Sequence, residues 1–173
     1  MREVEAVVHL ATRIPPPDQM GTSGAWHDND RLRDEATRLI VQAALSGDTA
    51  VIVVPTVAFI YPPGAADEST PPGDVPDFLQ SALLAEKYLQ YFTASGRRGV
   101  VLRLGALHGP QTATLTPTDR LSAHLHTDDA ATAILAALTA PAGIYNAVDA
   151  ADPVSHERFT QATGWHPRAG ESP

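Results

Sequence analysis

Three histidines and one threonine are the residues of this sequence best suited to chemistry. His9 ends an apolar run, His108 follows another one, and His27 stands at the start of an amphipathic segment. Imidazole exchanges protons near neutral pH, and the hydroxyl of Thr56 can share a hydrogen bond in the same step. If the fold brings these residues to one rim, they predict acid–base chemistry without a cofactor. The alternative is that His9 and His108 are packed residues with no catalytic part.

A second polar pattern, HLHTDD at 124–129, has the form of a metal-binding motif. Imidazole and carboxylate are ligands of zinc and iron. Acids are also favoured in the first turn of a helix, which explains Asp128 and Asp129 without a metal. Because no distant His or Asp set completes a site, we expect no metal ion.

The composition excludes several classes of protein. The 173 residues contain no Cys, which rules out a disulfide-stapled module and any thiolate site. The net charge is −8 and the only adjacent basic pair is Arg97-Arg98, so nucleic acid is not an expected partner. The longest nearly apolar run, 50–60, is too short to cross a bilayer, and the first residues lack a basic leader. We therefore expect no membrane partner and a cytoplasmic location.

The apolar periodicity predicts strands that alternate with helices. Strands are expected at 4–10, 50–54, 99–104 and 143–147, with a short extended piece at 124–126, and helices at about 26–45, 77–94, 128–138 and 155–164. This alternation is typical of a parallel α/β sheet covered by helices. Ligand sites in such sheets lie beyond the carboxyl ends of the strands, here at 9–12, 55–58 and 104–110.

Several segments carry motifs in the order of a known family. VEAVVHLAT, VIVVPTVAFIY and VVLRLGALHGP, followed by HLHTDDAATAILAAL and GIYNAVDAADPVSHERF, span nearly all of the chain. Together they resemble the extended short-chain dehydrogenase/reductases, the NAD-dependent epimerase/dehydratases. The first segment is similar to the family's fourth strand, and the second to the strand that delivers the catalytic Ser or Thr. The resemblance places Asn29 where the family has an Asn, and Thr56 at the catalytic hydroxyl.

The resemblance implies a single domain over 1–173 with an N-terminally truncated fold. We expect a Rossmann-like parallel sheet of three main strands flanked by helices within 1–110, and a short C-terminal α/β extension within 111–173. In the family the chain begins with a strand, a Gly-rich turn that binds the dinucleotide pyrophosphate, a helix and two further strands. Neither G-x-x-G-x-x-G nor G-x-G-x-x-G occurs here.

The family's catalytic Tyr and Lys are also replaced. Aligned through Ser81 and Glu86, the family's Tyr becomes Phe78 and its Lys becomes Ala82. Neither replacement can exchange a proton. Glu86 and the tyrosines near it on this helix are expected to face solvent or a neighbouring subunit. We expect no nicotinamide cofactor.

These observations predict a cofactor-independent, non-redox enzyme of the cyclase, isomerase or dehydratase type that acts on a small biosynthetic metabolite. The residues expected to act on the substrate or to line its pocket are Thr56, His9, His108, Asn29 and His27, with Phe78, Ala82, Tyr61 and Leu107. One alternative is a non-catalytic partner that stabilises another enzyme. Another is an NAD(P)-dependent epimerase or reductase completed by a second polypeptide.

The first strand predicts an oligomeric state. With no strand before it in the sequence, 4–10 is expected at an edge of the sheet, carrying Val7, Val8 and Leu10 without Lys or Pro. Such an edge lacks the usual protection against association. We therefore expect a homodimer through this strand.

Overall fold

The computed structural model describes residues 4–16, 18–118, 121 and 123–168. Strands and helices alternate along this part of the chain. The strands are β1 (Ala6–Val8), β2 (Val51–Val57), β3 (Arg98–Leu104), β4 (Ala106–His108), β5 (His124–His126) and β6 (Gly143–Ala147). The main sheet has the order β1-β2-β3-β6 with every pair parallel, and β4 and β5 form a small parallel sheet. The predicted Rossmann-like parallel sheet is confirmed.

The helices agree with the predicted segments. They are α1 (His27–Arg31), α2 (Thr37–Ser46), α3 (Asp77–Ala94), α4 (Thr127–Ala137) and α5 (Glu157–Thr163). A π-helical turn, Leu32–Ala36, joins α1 to α2, so that 27–46 is one helix with a widened turn. Such turns are rare in α-helices, and those that occur often lie near functional sites.

The main sheet has four strands rather than the three we predicted. Strand β6 pairs with β3 from Val100↔Gly143 to Leu104↔Ala147, so it belongs to the main sheet and not to a separate extension. Its sequence, GIYNA, is less apolar than that of β2 because Tyr145 and Asn146 interrupt the run. Both side chains are nevertheless buried, at 3% and 0% exposure.

The core lies on both faces of the main sheet. One cluster joins alternate residues of β2 and β3 to α4, β6 and α5, and the other joins the intervening residues to α2 and α3. The consecutive residues Val7 and Val8 pack on opposite clusters, because successive side chains of a strand point to opposite faces. Both are only half-buried because, among the described residues, β2 is the only strand that pairs with β1.

Within the described residues, no helix combines the length and the apolar character needed to span a membrane.

Candidate functional site

Thr56 lies at the carboxyl end of β2, where the sequence placed a catalytic hydroxyl. The side chain is buried, and its Oγ1 donates a hydrogen bond of 2.9 Å to Oε1 of Glu86. Glu86 projects from the middle of α3, and it is 4% exposed instead of facing solvent or a subunit as we expected. The hydroxyl of Thr56 is therefore held inside the protein between a strand and a helix.

Glu86 owes its burial to Arg103 of β3. The guanidinium donates from Nε to Oε1 at 2.9 Å and from Nη2 to Oε2 at 2.7 Å. Both side chains are 5% exposed. Burial alone would lower the pKa of Arg103, but the hydrogen bonds and the charge of Glu86 outweigh burial and raise that pKa. A buried charge is tolerated when it is paired in this two-point geometry.

Tyr61 extends this polar network toward β6. Its hydroxyl accepts a hydrogen bond of 2.6 Å from Nη1 of Arg103 and donates one of 3.0 Å to Oδ1 of Asn146. Burial raises the pKa of Tyr61 despite the nearby guanidinium. Asn146 donates in turn from Nδ2 to the carbonyl oxygen of Ser155, and its backbone N–H donates to Oε1 of Glu68. Tyr61 therefore links β3 to β6, and its hydroxyl is already hydrogen-bonded to both strands.

Asn29 anchors the segment that follows β1. Its side chain is 1% exposed. The Oδ1 atom accepts a hydrogen bond of 2.8 Å from Oγ1 of Thr12 and one of 3.2 Å from the backbone N–H of Arg13. These contacts fix the path of residues 12–13 over the start of α1.

Phe78 and Ala82 occupy different environments on α3. The ring of Phe78 is 38% exposed and stacks on Trp26, with centroids 4.7 Å apart. Ala82 is 1% exposed and packs against Val57, Ile60 and Leu79. Of these two predicted pocket residues, only Phe78 offers surface to a ligand.

The three candidate histidines do not form one cluster. His9 donates from Nε2 to the carbonyl oxygen of Leu32 at 2.9 Å, on the side of the π-helical turn. His27 is exposed at the first position of α1. His108 pairs with Asp149, which follows β6, the strand at the opposite edge of the sheet from β1. No hydrogen bond or ring contact between His9, His27 and His108 occurs in the part of the chain that the structure describes.

His108 is held by a carboxylate at one ring nitrogen and is free at the other. Its Nε2 lies 2.7 Å from Oδ2 of Asp149, and the two side chains are 11% and 16% exposed. The other oxygen of Asp149 accepts from the backbone N–H of His126 at 3.2 Å, which fixes the carboxylate. The Nδ1 atom of His108 is buried and has no hydrogen-bond partner among the described residues. The rings of His108 and His126 meet edge to face, with centroids 5.4 Å apart.

The remaining histidines of the HLHTDD segment have structural contacts. His124 lies between Asp152, 3.1 Å from Nδ1, and the carbonyl oxygen of Thr118, 2.8 Å from Nε2. His126 accepts at Nδ1 from the backbone N–H of Asp128 and caps α4. Over residues 4–16, 18–118, 121 and 123–168, no three His, Asp or Glu side chains group closely enough to hold a metal ion.

Two of the site's polar residues carry a sequence signal that could have identified them. Arg103 interrupts the apolar strand VVLRL, and a charge inside a buried strand requires a buried partner of opposite sign. Glu86 is the acid on the helix that covers this strand. Asp149 has no such signal, because it follows β6 in a loop that carries a second acid, Asp152.

The residues present do not fit a nicotinamide dinucleotide. The Gly-rich turn is not in the sequence, and the position that matches the family's Lys is Ala82, inside an apolar cluster. Two shallow grooves of about 350 and 160 Å³ lie elsewhere, one beside α1 and α2 and one between α3 and β6. No residue of either groove belongs to the predicted site.

Comparisons with known proteins agree on the fold. No family model matches the chain, and neither does any curated protein. Among solved structures, RMD from Pseudomonas aeruginosa complexed with NADPH is 19% identical, with a TM-score of 0.74 over 95% of this chain and 76% of that one. UDP-glucuronic acid 4-epimerase from Bacillus cereus in complex with NAD is 13% identical, with a TM-score of 0.77 over 95% of this chain and 68% of the epimerase. A short-chain dehydrogenase/reductase superfamily protein from Agrobacterium tumefaciens with bound NAD is 16% identical, with a TM-score of 0.73 over 95% of this chain and 75% of that one. The chain has the fold of the NAD-dependent epimerases and short-chain dehydrogenases, as its motifs predicted.

Proposed function

We propose that this chain is a cofactor-independent, non-redox enzyme of the isomerase, cyclase or dehydratase type, with His108 as its proton-transfer group. The observation that supports this proposal is an imidazole that is oriented by Asp149 and has a second nitrogen without a partner among the described residues. Many enzymes transfer protons with an imidazole base that a carboxylate orients in this way. The substrate is a small metabolite.

The tautomer of His108 follows from its contact with Asp149. When the ring is neutral, the proton on Nε2 is donated to the carboxylate, which leaves the lone pair on Nδ1. A C–H or O–H proton of the substrate passes to Nδ1, and Asp149 stabilises the resulting imidazolium. The same proton returns to a different atom of the substrate in an isomerisation, or to a departing hydroxyl in a dehydration. Neither outcome changes the number of electrons in the protein or in the substrate.

Access to Nδ1 requires a local opening, because this atom is shielded from solvent. Leu107 precedes His108 on β4 and is 43% exposed. Leu107 and the exposed face of Phe78 are the predicted pocket residues that offer apolar surface to a ligand. Thr56, Asn29, Tyr61 and Ala82 are buried and belong to the framework of the protein.

The test is exchange of substrate hydrogen with solvent deuterium, followed by NMR. UDP-sugars are the first probes because one of the compared structures is a UDP-glucuronic acid 4-epimerase, and small hydroxyketones are the second. We expect deuterium incorporation with the unaltered chain and a loss of about 100-fold in H108Q. Asp149→Asn should also slow exchange, whereas the exposed His166→Gln serves as the matched control and should not. Exchange that persists in H108Q, or that occurs with none of these probes, contradicts the proposal.

A non-catalytic partner protein is the second candidate. It is favoured by the hydrogen bonds that engage the polar atoms of Thr56, Asn29 and Tyr61 inside the protein. A third candidate is an NAD(P)-dependent enzyme completed by a second polypeptide, which is supported by the nicotinamide cofactors in the compared structures.

Ligand-dependent melting separates these candidates. A ligand that binds only the native state at 100 times its dissociation constant stabilises that state by about 2.7 kcal/mol. We expect no shift with millimolar NADH or NADPH, because the chain offers neither a Gly-rich turn nor a Lys at the nicotinamide position. A shift of several degrees with NADPH supports the third candidate, and no shift with any small molecule supports the second.

A further inference from the structure

We propose that β1 pairs with β1 of a second copy of this chain, antiparallel and centred on Val7, so that two four-stranded sheets become one. The inference is independent of the proposed function. It rests on the hydrogen-bond pattern of the strand, on the residues that this pattern aligns, and on the charge beside it.

The backbone groups of β1 alternate in direction. The carbonyl oxygen of Glu5 accepts from the N–H of Val51 at 3.2 Å, and the N–H of His9 donates to the carbonyl oxygen of Val53 at 3.0 Å. Residues 5, 7 and 9 therefore direct their backbone groups to β2. The intervening residues, Ala6 and Val8, direct theirs to the free edge, where the described part of the chain supplies no partner.

This edge lacks Lys, Pro and a β-bulge, which are among the features that prevent association. Ala6–Val8 contains neither Lys nor Pro, and its register with β2 runs from Ala6↔Val51 to Val8↔Val53 without a bulge. Three apolar side chains in and beyond the strand are exposed, namely Val4 at 52%, Leu10 at 52% and Ile14 at 55%. Pairing would shield this apolar surface from water.

A two-fold axis at Val7 aligns like with like. It places Ala6 opposite Val8 of the second copy, and these two residues exchange both of their outward hydrogen bonds. In the same register Val4 faces Leu10, and the carboxylate of Glu5 faces the imidazole of His9. A register shifted by two residues in one direction would instead place Glu5 opposite Val7. The match of apolar, acidic and imidazole residues in one register favours a second copy over an unrelated strand.

The charges next to the strand do not oppose this contact. A groove of about 350 Å³ begins at Arg13, beyond the end of β1, and runs along the outer face of α1 and α2. Its charges are balanced, because Arg13 pairs with Asp28 and Arg31 pairs with Glu35, each at 3.2 Å. These four residues therefore add no net charge beside the strand.

Cysteine cross-linking tests the register, because the chain has no Cys of its own. Two Val7 residues across the axis form a pair without hydrogen bonds, with Cα atoms about 4.5 Å apart, which a disulfide can span. Two Glu5 residues lie four positions apart along the strands, about 14 Å at 3.4 Å per residue. We expect Val7→Cys to give a disulfide-linked dimer under mild oxidation and Glu5→Cys, the matched control, to remain unlinked. Equal cross-linking of both variants, or linking of Glu5→Cys alone, overturns the proposed pairing.

Sedimentation at micromolar concentration tests the dimer without a change in the core. We expect the unaltered chain to be dimeric and Leu10→Lys to raise the dissociation constant at least tenfold. Leu115→Lys is the matched control, since this leucine is 75% exposed and lies on the loop between β4 and β5. A monomeric unaltered chain, or equal weakening by both substitutions, overturns the proposal.

Discussion

The buried polar network is the residue-scale feature that distinguishes this protein from a purely apolar α/β core. The network joins Thr56 of β2, Glu86 of α3, Arg103 of β3, Tyr61 of the loop after β2 and Asn146 of β6. Their hydrogen bonds are 2.6–3.0 Å long. Each buried charge has its partner, so the desolvation cost is offset only while the set is complete. The group that the sequence assigned to catalysis, Thr56, thereby belongs to the framework of the sheet.

Removing one member of the ion pair should destabilise more than removing both. We expect Arg103→Met or Glu86→Leu alone to lower the free energy of unfolding by about 3–5 kcal/mol, because either leaves an unpaired buried charge. The double variant should lose less than either single one. Urea unfolding of the three variants measures this, and losses that simply add would mean that the pair does not interact.

His156 should make the stability depend on pH in the acid range. Burial lowers the pKa of this residue below its ordinary value of 6.5, and its ring lies edge-on to Trp165 at 6.0 Å. A depressed pKa in the folded state means that the unfolded chain binds more protons, so the stabilising contribution is complete well above pH 6.5 and is lost as the pH falls through the folded-state pKa. We expect the fall in Tm between pH 7.5 and 5.5 to be smaller in His156→Gln than in the unaltered chain. His27→Gln, at an exposed position, is the comparison that should leave the fall unchanged.

At the scale of elements, glycine at the exit of β3 allows the chain to enter β4. A Cβ built on Gly105 would lie 2.3 Å from the backbone carbonyl of His124 in β5. Gly105→Ala should therefore push the small sheet away from the main one and cost about 3 kcal/mol, the upper part of the usual range for overpacking. Gly21→Ala is a suitable control because no atom lies within 4 Å of its added Cβ. Equal unfolding midpoints for both variants would show that β5 can shift at no cost.

The sequence predicted those elements whose side chains follow one simple pattern. AVIVV and GVVLRL are apolar runs and became β2 and β3, and the helix over 77–94 was predicted with the bounds observed for α3. The place of β6 in the main sheet was missed because Tyr145 and Asn146 are polar, and their burial depends on partners far away in the chain. The π-helical turn has no sequence signal of comparable strength. For the candidate site, the sequence predicted a role for His108 but not for Asp149, since a contact across 41 positions depends on the fold and not on spacing.

At the scale of the whole molecule, the sheet and its core join residues on both sides of position 110. Strand β6 completes the main sheet, and Phe159 and Trp165 pack in the same cluster as Val53 and Leu102. The regions 1–110 and 111–173 therefore share one core. A shared core favours a single cooperative transition over stepwise unfolding.

The two tryptophans allow this cooperativity to be measured from both regions. Trp26 lies at the start of α1 and Trp165 follows α5, and the chain has no other tryptophan. In the Trp165→Phe variant the remaining Trp26 reports on 1–110. In the Trp26→Phe variant the remaining Trp165 reports on 111–173. We expect fluorescence and far-ultraviolet circular dichroism to give the same urea midpoint within each variant, even though Trp165→Phe, which alters a buried ring, should unfold earlier. A fluorescence midpoint that precedes the circular dichroism midpoint in Trp26→Phe would mean that 111–173 unfolds first. In that case β6 would contribute little to the stability of the sheet that it completes.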